Sequence, residues 1–208
     1  MSGPDLGTRV DAFARAAVAR AAPARFGVAV RAADLAAAYR LRGEVVVSQG
    51  WASADAFPDG LEHDAEDAAA VQVVGWDSDR VVATGRLVWP APGRPLPTEA
   101  AFDLVVPARE RVADVGRICV AADHRDCGHR VLWGLLGQTW IEMRRRGYQD
   151  MCCAVAAPVA RLYARLGFRV TPLAPARSYW GVARFPALVA PTAALAHLTP
   201  TLWPGTAG

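Results

Sequence analysis

Six consecutive residues carry the densest chemistry in the chain: Arg125-Asp126-Cys127-Gly128-His129-Arg130. The apolar run before them, Val115 to Ala121, reads as a buried strand, and a helical pattern follows, so the loop joins a strand end to a helix start. At such a junction the unpaired N–H groups of the first helical turn and the helix dipole favour an anion. Gly128 permits close backbone approach, while Arg125 and Arg130 can add charge-assisted bonds to a phosphate. The same residues also read as a plain glycine turn, and the loop alone does not decide between the two.

The elements that must position this loop are legible around it. Val131, Leu132, Leu135, Leu136, Thr139, Trp140 and Met143 recur at three- and four-residue spacing, which predicts an amphipathic helix. Gly147 stops it, and Arg144-Arg145-Arg146 suits its negative C-terminal end. Met151 to Val155 is the next strand, and Ala160 to Leu166 begins a helix ending at Gly167. Strand, loop, helix, strand, helix is the order of a parallel pair with a helical crossover.

Upstream, Val10, Phe13, Ala14, Ala17, Val18 and Ala21 share one helical face, broken at Pro23, so residues 1–25 read as an amphipathic extension that packs on the core or on a partner. Phe26 to Val30 alternates like a strand, and a helix is expected from Asp34 as N-cap. Residues 43–68 read more as loop than as element. Val71–Val74 and Val81–Val88 read as antiparallel strands joined by Asp77-Ser78-Asp79. Residues 89–98 are proline-rich, Ala100 to Val106 is a short linker, and Tyr179 to Phe185 is a final strand. Beyond Pro186 the chain turns alanine- and proline-rich, so residues 26–186 are taken as the domain and 187–208 as a tail.

At 208 residues, 53% hydrophobic and 21% charged, the composition is that of one globular domain. All 23 basic residues are arginine, so no lysine is available as a base or Schiff-base former. A net charge of +3, with the arginines interleaved with acids, does not make a nucleic-acid stripe. Cys119, Cys127, Cys152 and Cys153 lack metal-ligand spacing and read as reduced core thiols, with no metal expected. There is no signal-peptide core and no run long enough to span a membrane, so the expected location is cytoplasmic.

The loop resembles the R/Q-x-x-G-x-G/A pyrophosphate loop of the GNAT acyltransferase superfamily, and Leu162-Tyr163-Ala164-Arg165-Leu166-Gly167-Phe168 resembles that superfamily's L-Y-x-x-x-G-F ending. Arg130 replaces the small last residue of the loop, and Ala156 stands where many members carry Asn. The front half narrows the resemblance. Arg40 and Arg42, Trp51, Asp64-x-x-Asp67, Arg86-Leu87, Phe102 and Asp114-x-x-Arg117 follow in the order seen in acyl-homoserine-lactone synthases and long-chain N-acyl amino acid synthases, with Asp114 in place of a Glu. The resemblance spans residues 35–170.

It implies an α/β (α+β) GNAT-like single domain, with a mixed central sheet whose parallel strand pair splays apart between flanking helices. It also implies an N-acyltransferase that moves an acyl group from a coenzyme A or acyl-carrier-protein thioester to the amine of a small molecule or peptide; a homodimer is compatible with it. Ile118, Cys119, Val120, Arg125, Cys127, Gly128, His129 and Arg130 would bind the donor, with strand N–H groups polarising the thioester carbonyl. Tyr163 falls at the general-acid position for the departing sulfur, or packs as a core tyrosine. Asp114 would accept the amine proton, or form a structural ion pair with Arg117. Asp64 and Asp67 would hold a substrate ammonium or scaffold the first loop through Arg40, Arg42 or Arg86. Arg86 and Arg117 would bind substrate, and Trp51 and Phe102 would line an acyl or amine pocket or pack as ordinary core. The competing expectation is a non-catalytic acyl-CoA-binding module that keeps the fold.

Overall fold

A computed structural model of the chain describes residues 5–125 and 129–193. Helix α1 (Leu6–Arg20) is capped by Asp5, whose carboxylate accepts the Thr8 N–H, and is followed by strand β1 (Arg25–Val28). Helix α2 (Ala32–Ser48) leads through short 3-10 turns to β2 (Val71–Asp77) and β3 (Arg80–Val88). Helix α3 (Pro97–Phe102) precedes β4 (Val112–Val120), α4 (Arg130–Arg145), β5 (Asp150–Val155) and α5 (Ala157–Arg165). Strands β6 (Phe168–Pro172), β7 (Arg177–Tyr179) and β8 (Val182–Pro191) complete the described chain.

The strands form one sheet in the order β1-β2-β3-β4-β5-β8-β6, with β7 on β8. All its neighbours are antiparallel except β4 and β5, which pair in parallel over three residues only: Val112 with Asp150, Ala113 with Met151 and Asp114 with Cys152. Beyond that point each strand continues with its outer neighbour, and the two diverge. This is the expected splayed pair.

The residues of β8 separate the faces of the sheet. Phe185, Ala187 and Val189 pack with Tyr163, Val155 and Cys153 on the α5 side, whereas Leu188 packs with Val88, Leu96, Val106 and Cys152 on the α3 side. Helix α1 lies on α4 through Val10, Ala14 and Trp140. Gly137 makes that approach feasible, because a Cβ there would sit 2.6 Å from the Ala14 carbonyl oxygen.

Several boundaries differ from the sequence expectation. Tyr179 to Phe185, expected as one final strand, turns at Trp180–Gly181 between β7 and β8, and β4 begins at Val112 rather than Val115. Helix α2 begins at Ala32, with Arg31 rather than Asp34 at the N-cap; Asp34 lies in the first turn, where it accepts from Arg31 and from the Trp76 indole N–H. The helix also continues through residues 43–48, where a glycine and three valines argue against it. Burial of Val45 and Val46 outweighs that propensity, and Gly43 is required because the Gly60 carbonyl oxygen lies 2.7 Å from where its Cβ would be. Finally, β8 runs past Pro186 to Pro191, with Ala187 and Val189 buried between β5 and β6. The composition of this stretch suggests a tail, but alanine and proline suffice where the partner strands supply the bulk.

Candidate active site

The defining backbone feature is a bulge in β4. On β3, Thr84 pairs with Cys119 and Arg86 with Gly116, so Arg117 and Ile118 both lie opposite the single residue Gly85. Arg117 takes φ +54, a conformation that a bulky residue holds only when its surroundings impose it. What imposes it here is a charge network. The Arg117 guanidinium donates to Glu62 and to Asp64 at 2.9 Å each, and stacks 4.6 Å over the Trp180 ring.

The network extends inward. Arg42, fully buried on α2, forms a two-point bond to Asp67 at 2.8 and 3.0 Å and a further bond to Glu62. Arg86 of β3 reaches Asp64 at 2.5 Å and Asp67 at 3.4 Å, and Gln72 donates to Asp67. Asp64 and Asp67 also close a capping box on the turn Ala65–Ala69. Three arginines thus neutralise three carboxylates. Burial pushes the Asp67 carboxyl up, but the bonds and charge of Arg42 outweigh it and hold the group at about 2. Asp64, Asp67, Arg86 and Arg117 are therefore brought together in one ion-paired cluster. Glu62, which joins Arg42 to Arg117, was not singled out from the sequence; its place two residues before Asp64 was the available signal.

The expected ion pair of Asp114 with Arg117 is absent. The Asp114 carboxylate is buried beneath α3, accepting the Thr98 N–H at 2.7 Å and the Cys152 thiol at 3.4 Å, and burial raises its pKa. Thr98 is the second residue of α3, so Asp114 satisfies a helix-start N–H that has no acceptor within its own helix. These contacts tie α3 to β4.

Tyr163 lies on the buried face of α5 against Cys153 and Val155, on the β5 arm of the splay, with its ring edge-on to Phe168 at 6.0 Å. Burial pushes its phenol well above the ordinary value, so it stays protonated at neutral pH. The ring borders an apolar cavity between α1, α4 and β5 that Phe13, Leu136, Met151 and Phe168 also line. On the β4 arm, Ile118 packs beneath Gly85 towards α4, and Cys119 is buried with its thiol raised to about 11 by desolvation. Val120 ends the strand, and its carbonyl accepts the Arg125 Nε–H at 2.8 Å.

The start of α4 follows. His129, at φ +50, is its N-cap, Arg130 begins the helix, and no acidic residue occupies its first turn. Cys127 and Gly128 lie outside the described residues. Among the described residues no cluster of His, Cys, Asp or Glu could hold a metal ion.

Opposite the bulge stands the β7–β8 hairpin. Trp180 and Gly181 are both at positive φ, the pattern of a type I′ turn, and Gly181 abuts the Trp51 backbone. Phe102 packs on Tyr179 at 5.6 Å and lies under the Arg177 guanidinium at 4.7 Å. Arg184 stacks 4.6 Å over Trp51. Sequence reasoning singled out Trp51 and Phe102 but not Arg177, Trp180 and Arg184, which the hairpin brings against Phe102, Arg117 and Trp51.

A parallel pair that opens beside a bulge, with a helix start at the end of the first arm, is a GNAT-like fold. More narrowly, the profile of the family "N-acyl amino acid synthase FeeM" matches residues 37–192, and the chain belongs to that family. Among solved structures it is similar to the CoA-dependent acyl-homoserine lactone synthase BjaI (21% identity, TM-score 0.64, covering 79% of each chain). It is also similar to the acyl-homoserine lactone synthase LasI (17%, TM-score 0.64, 80% of this chain and 88% of that one). A third is FeeM, an N-acyl amino acid synthase from uncultured soil microbes (16%, TM-score 0.59, 80% and 88%). No curated protein matches. No helix among the described residues is long and apolar enough to cross a membrane.

Proposed function

We propose that the chain transfers an acyl group from a coenzyme A or acyl-carrier-protein thioester to the amine of an amino acid. The observation that carries this reading is the divergence of β4 from β5 immediately after Asp114 and Cys152, beside the bulge at Arg117. Past that point the β4 backbone groups that faced β5 lose their ladder partner, so N–H groups between Ile118 and Val120 can receive a thioester carbonyl. The start of α4, flanked by Arg125 and Arg130, suits the phosphates of the donor.

In this reading the neutral amine attacks the carbonyl carbon, and strand N–H groups stabilise the resulting oxyanion. Collapse breaks the C–S bond. The departing sulfur takes the proton of the Tyr163 hydroxyl, which solvent restores, while the surplus amine proton leaves through water. Asp114 acts as a positioning residue that holds α3, and with it Phe102, on the acceptor side.

The test is release of free thiol from short- and long-chain acyl-CoA, and from an acyl carrier protein, with each of the twenty amino acids. Amino-acid-dependent release is expected. Saturable coenzyme A binding without release would favour a non-catalytic binding module instead.

A further inference from the structure

The charge network at the bulge is balanced, but one cation beside it is not. Arg184 lies at the start of β8, one residue before the Phe185–Val155 pair, so it stands at the end of the sheet where β4 and β5 have opened. Its neighbour Phe185 packs on the α5 side, which directs Arg184 to the opposite side, with Trp51. Its Nε is fully buried without a hydrogen-bond acceptor, and no carboxylate among the described residues pairs with it. The three nearby acids, Glu62, Asp64 and Asp67, are already committed to Arg42, Arg86 and Arg117. Arg117, Cys119 and Tyr179 are the charged and titratable groups that act on it. Desolvation and the Arg117 charge both disfavour the guanidinium ion, which is the situation an incoming anion relieves.

We propose that Arg184 is the acceptor-carboxylate site: its guanidinium binds the carboxylate of the amino acid whose amine is acylated, in a pocket walled by Trp51 and the Trp180–Gly181 turn. The inference rests on the amino-acid-acceptor reading above. A guanidinium presents a planar donor fork that matches a carboxylate, and Trp51 fixes the plane of that fork from below. Trp180 is held at φ +52, unfavourable for a bulky residue, with its ring over Arg117. The hairpin is thereby pinned to the bulge, which sets the distance from Arg184 to the reacting carbonyl. An amine without a carboxylate would leave the buried Nε without an acceptor, so the site selects for amino acids over simple amines.

The experiment compares wild type with Arg184→Met, which keeps the alkyl packing on Trp51, and Arg184→Lys, which keeps the charge but loses the fork. Thiol release is measured with the best amino acid and with its carboxamide, and calorimetry measures binding of the N-decanoyl derivatives of both. Wild type should favour the carboxylate over the carboxamide by about 10- to 100-fold in kcat/KM, as expected for a charged hydrogen-bond partner. The Met variant should abolish that preference without changing the KM for acyl-CoA, and Lys should restore part of it. Equal use of acid and amide by wild type, with active transfer, would overturn the carboxylate site and leave the acyltransferase reading standing. If no acceptor turns over, tenfold or greater loss of N-decanoyl amino acid binding in the Met variant would still support the site. Absence of that binding in wild type would overturn it.

Discussion

Asp67→Asn isolates what the buried charge network contributes. In the native protein the Asp67 carboxyl sits at about 2, against a model-compound value of 3.8, because Arg42 overcomes the cost of burial. The sign follows from the depressed value: this stabilisation is fully present above the unfolded-state value near 4 and is lost as pH falls through 2. A depression of that size corresponds to about 2 kcal/mol at neutral pH. Asn keeps the side-chain shape, accepts only one of the two Arg42 bonds, and cannot titrate. Urea unfolding at pH 7 should therefore place the variant about 2–3 kcal/mol below wild type, a drop of roughly 4–12 °C in melting temperature for a chain of this size. The same comparison at pH 3 should show that gap reduced to about half, because wild type is by then losing its advantage. A gap of constant size from pH 7 to pH 3 would refute the electrostatic account and leave packing as the cause. Coupling to the site supplies a second readout. Glu62 joins Arg42 to Arg117, so loosening Arg42 should raise the acceptor KM more than the donor KM.

Three other substitutions probe separate parts of the molecule. Tyr163→Phe keeps the ring against Phe168 and deletes only the hydroxyl; kcat and kcat/KM should fall together by about 10–10³-fold, and an unchanged kcat would return Tyr163 to the core. Asp114→Asn should cost about 1–3 kcal/mol in urea unfolding, by weakening the bonds to Thr98 and Cys152, while leaving the pH–rate profile in place; loss of the acidic limb from that profile would instead make Asp114 a proton acceptor. His124 bridges Asp123 and Asp77 at 2.9 and 3.0 Å, with Arg80 also on Asp123, and its pKa is raised by those bonds. Its contribution is complete below about 6.5 and declines as pH rises through the raised native value, so the wild-type melting temperature should slope downward across that window and the slope should be absent in His124→Gln.

What could be read in the sequence was whatever periodicity and order encode. The helix from Arg130, the strand at Met151 and the turn after β2 followed from apolar spacing and turn residues, because each is decided within its own segment. Residues 43–48 and 187–191 were illegible for a common reason: their conformation is dictated by distant partners. The Gly60 carbonyl makes a glycine necessary within α2, and β5 and β6 enclose an alanine–proline strand that has little propensity of its own. Arg184 and Trp180 carried no local signal either. Nothing in the order Tyr179-Trp180-Gly181 announces that a tight turn will deliver an indole to an arginine sixty residues upstream.

The front-half motifs are weak singly because they are fragments of one physical object. Arg42 on α2, Glu62, Asp64 and Asp67 in the following segment, Arg86 on β3 and Arg117 on β4 are spread over some seventy-five residues, yet they meet in a single charge-balanced cluster. Removing one member strands its partner in a low-dielectric setting, a loss several-fold larger than the worth of an exposed pair. That interdependence explains why the order of the motifs is more telling than any one of them. It also explains why the cluster lies at the bulge: a guanidinium at φ +54 needs two carboxylates and an indole to hold it there, and the backbone it distorts is the part of β4 that faces the opening. The members of the network bond to one another and hold the bulged strand in place.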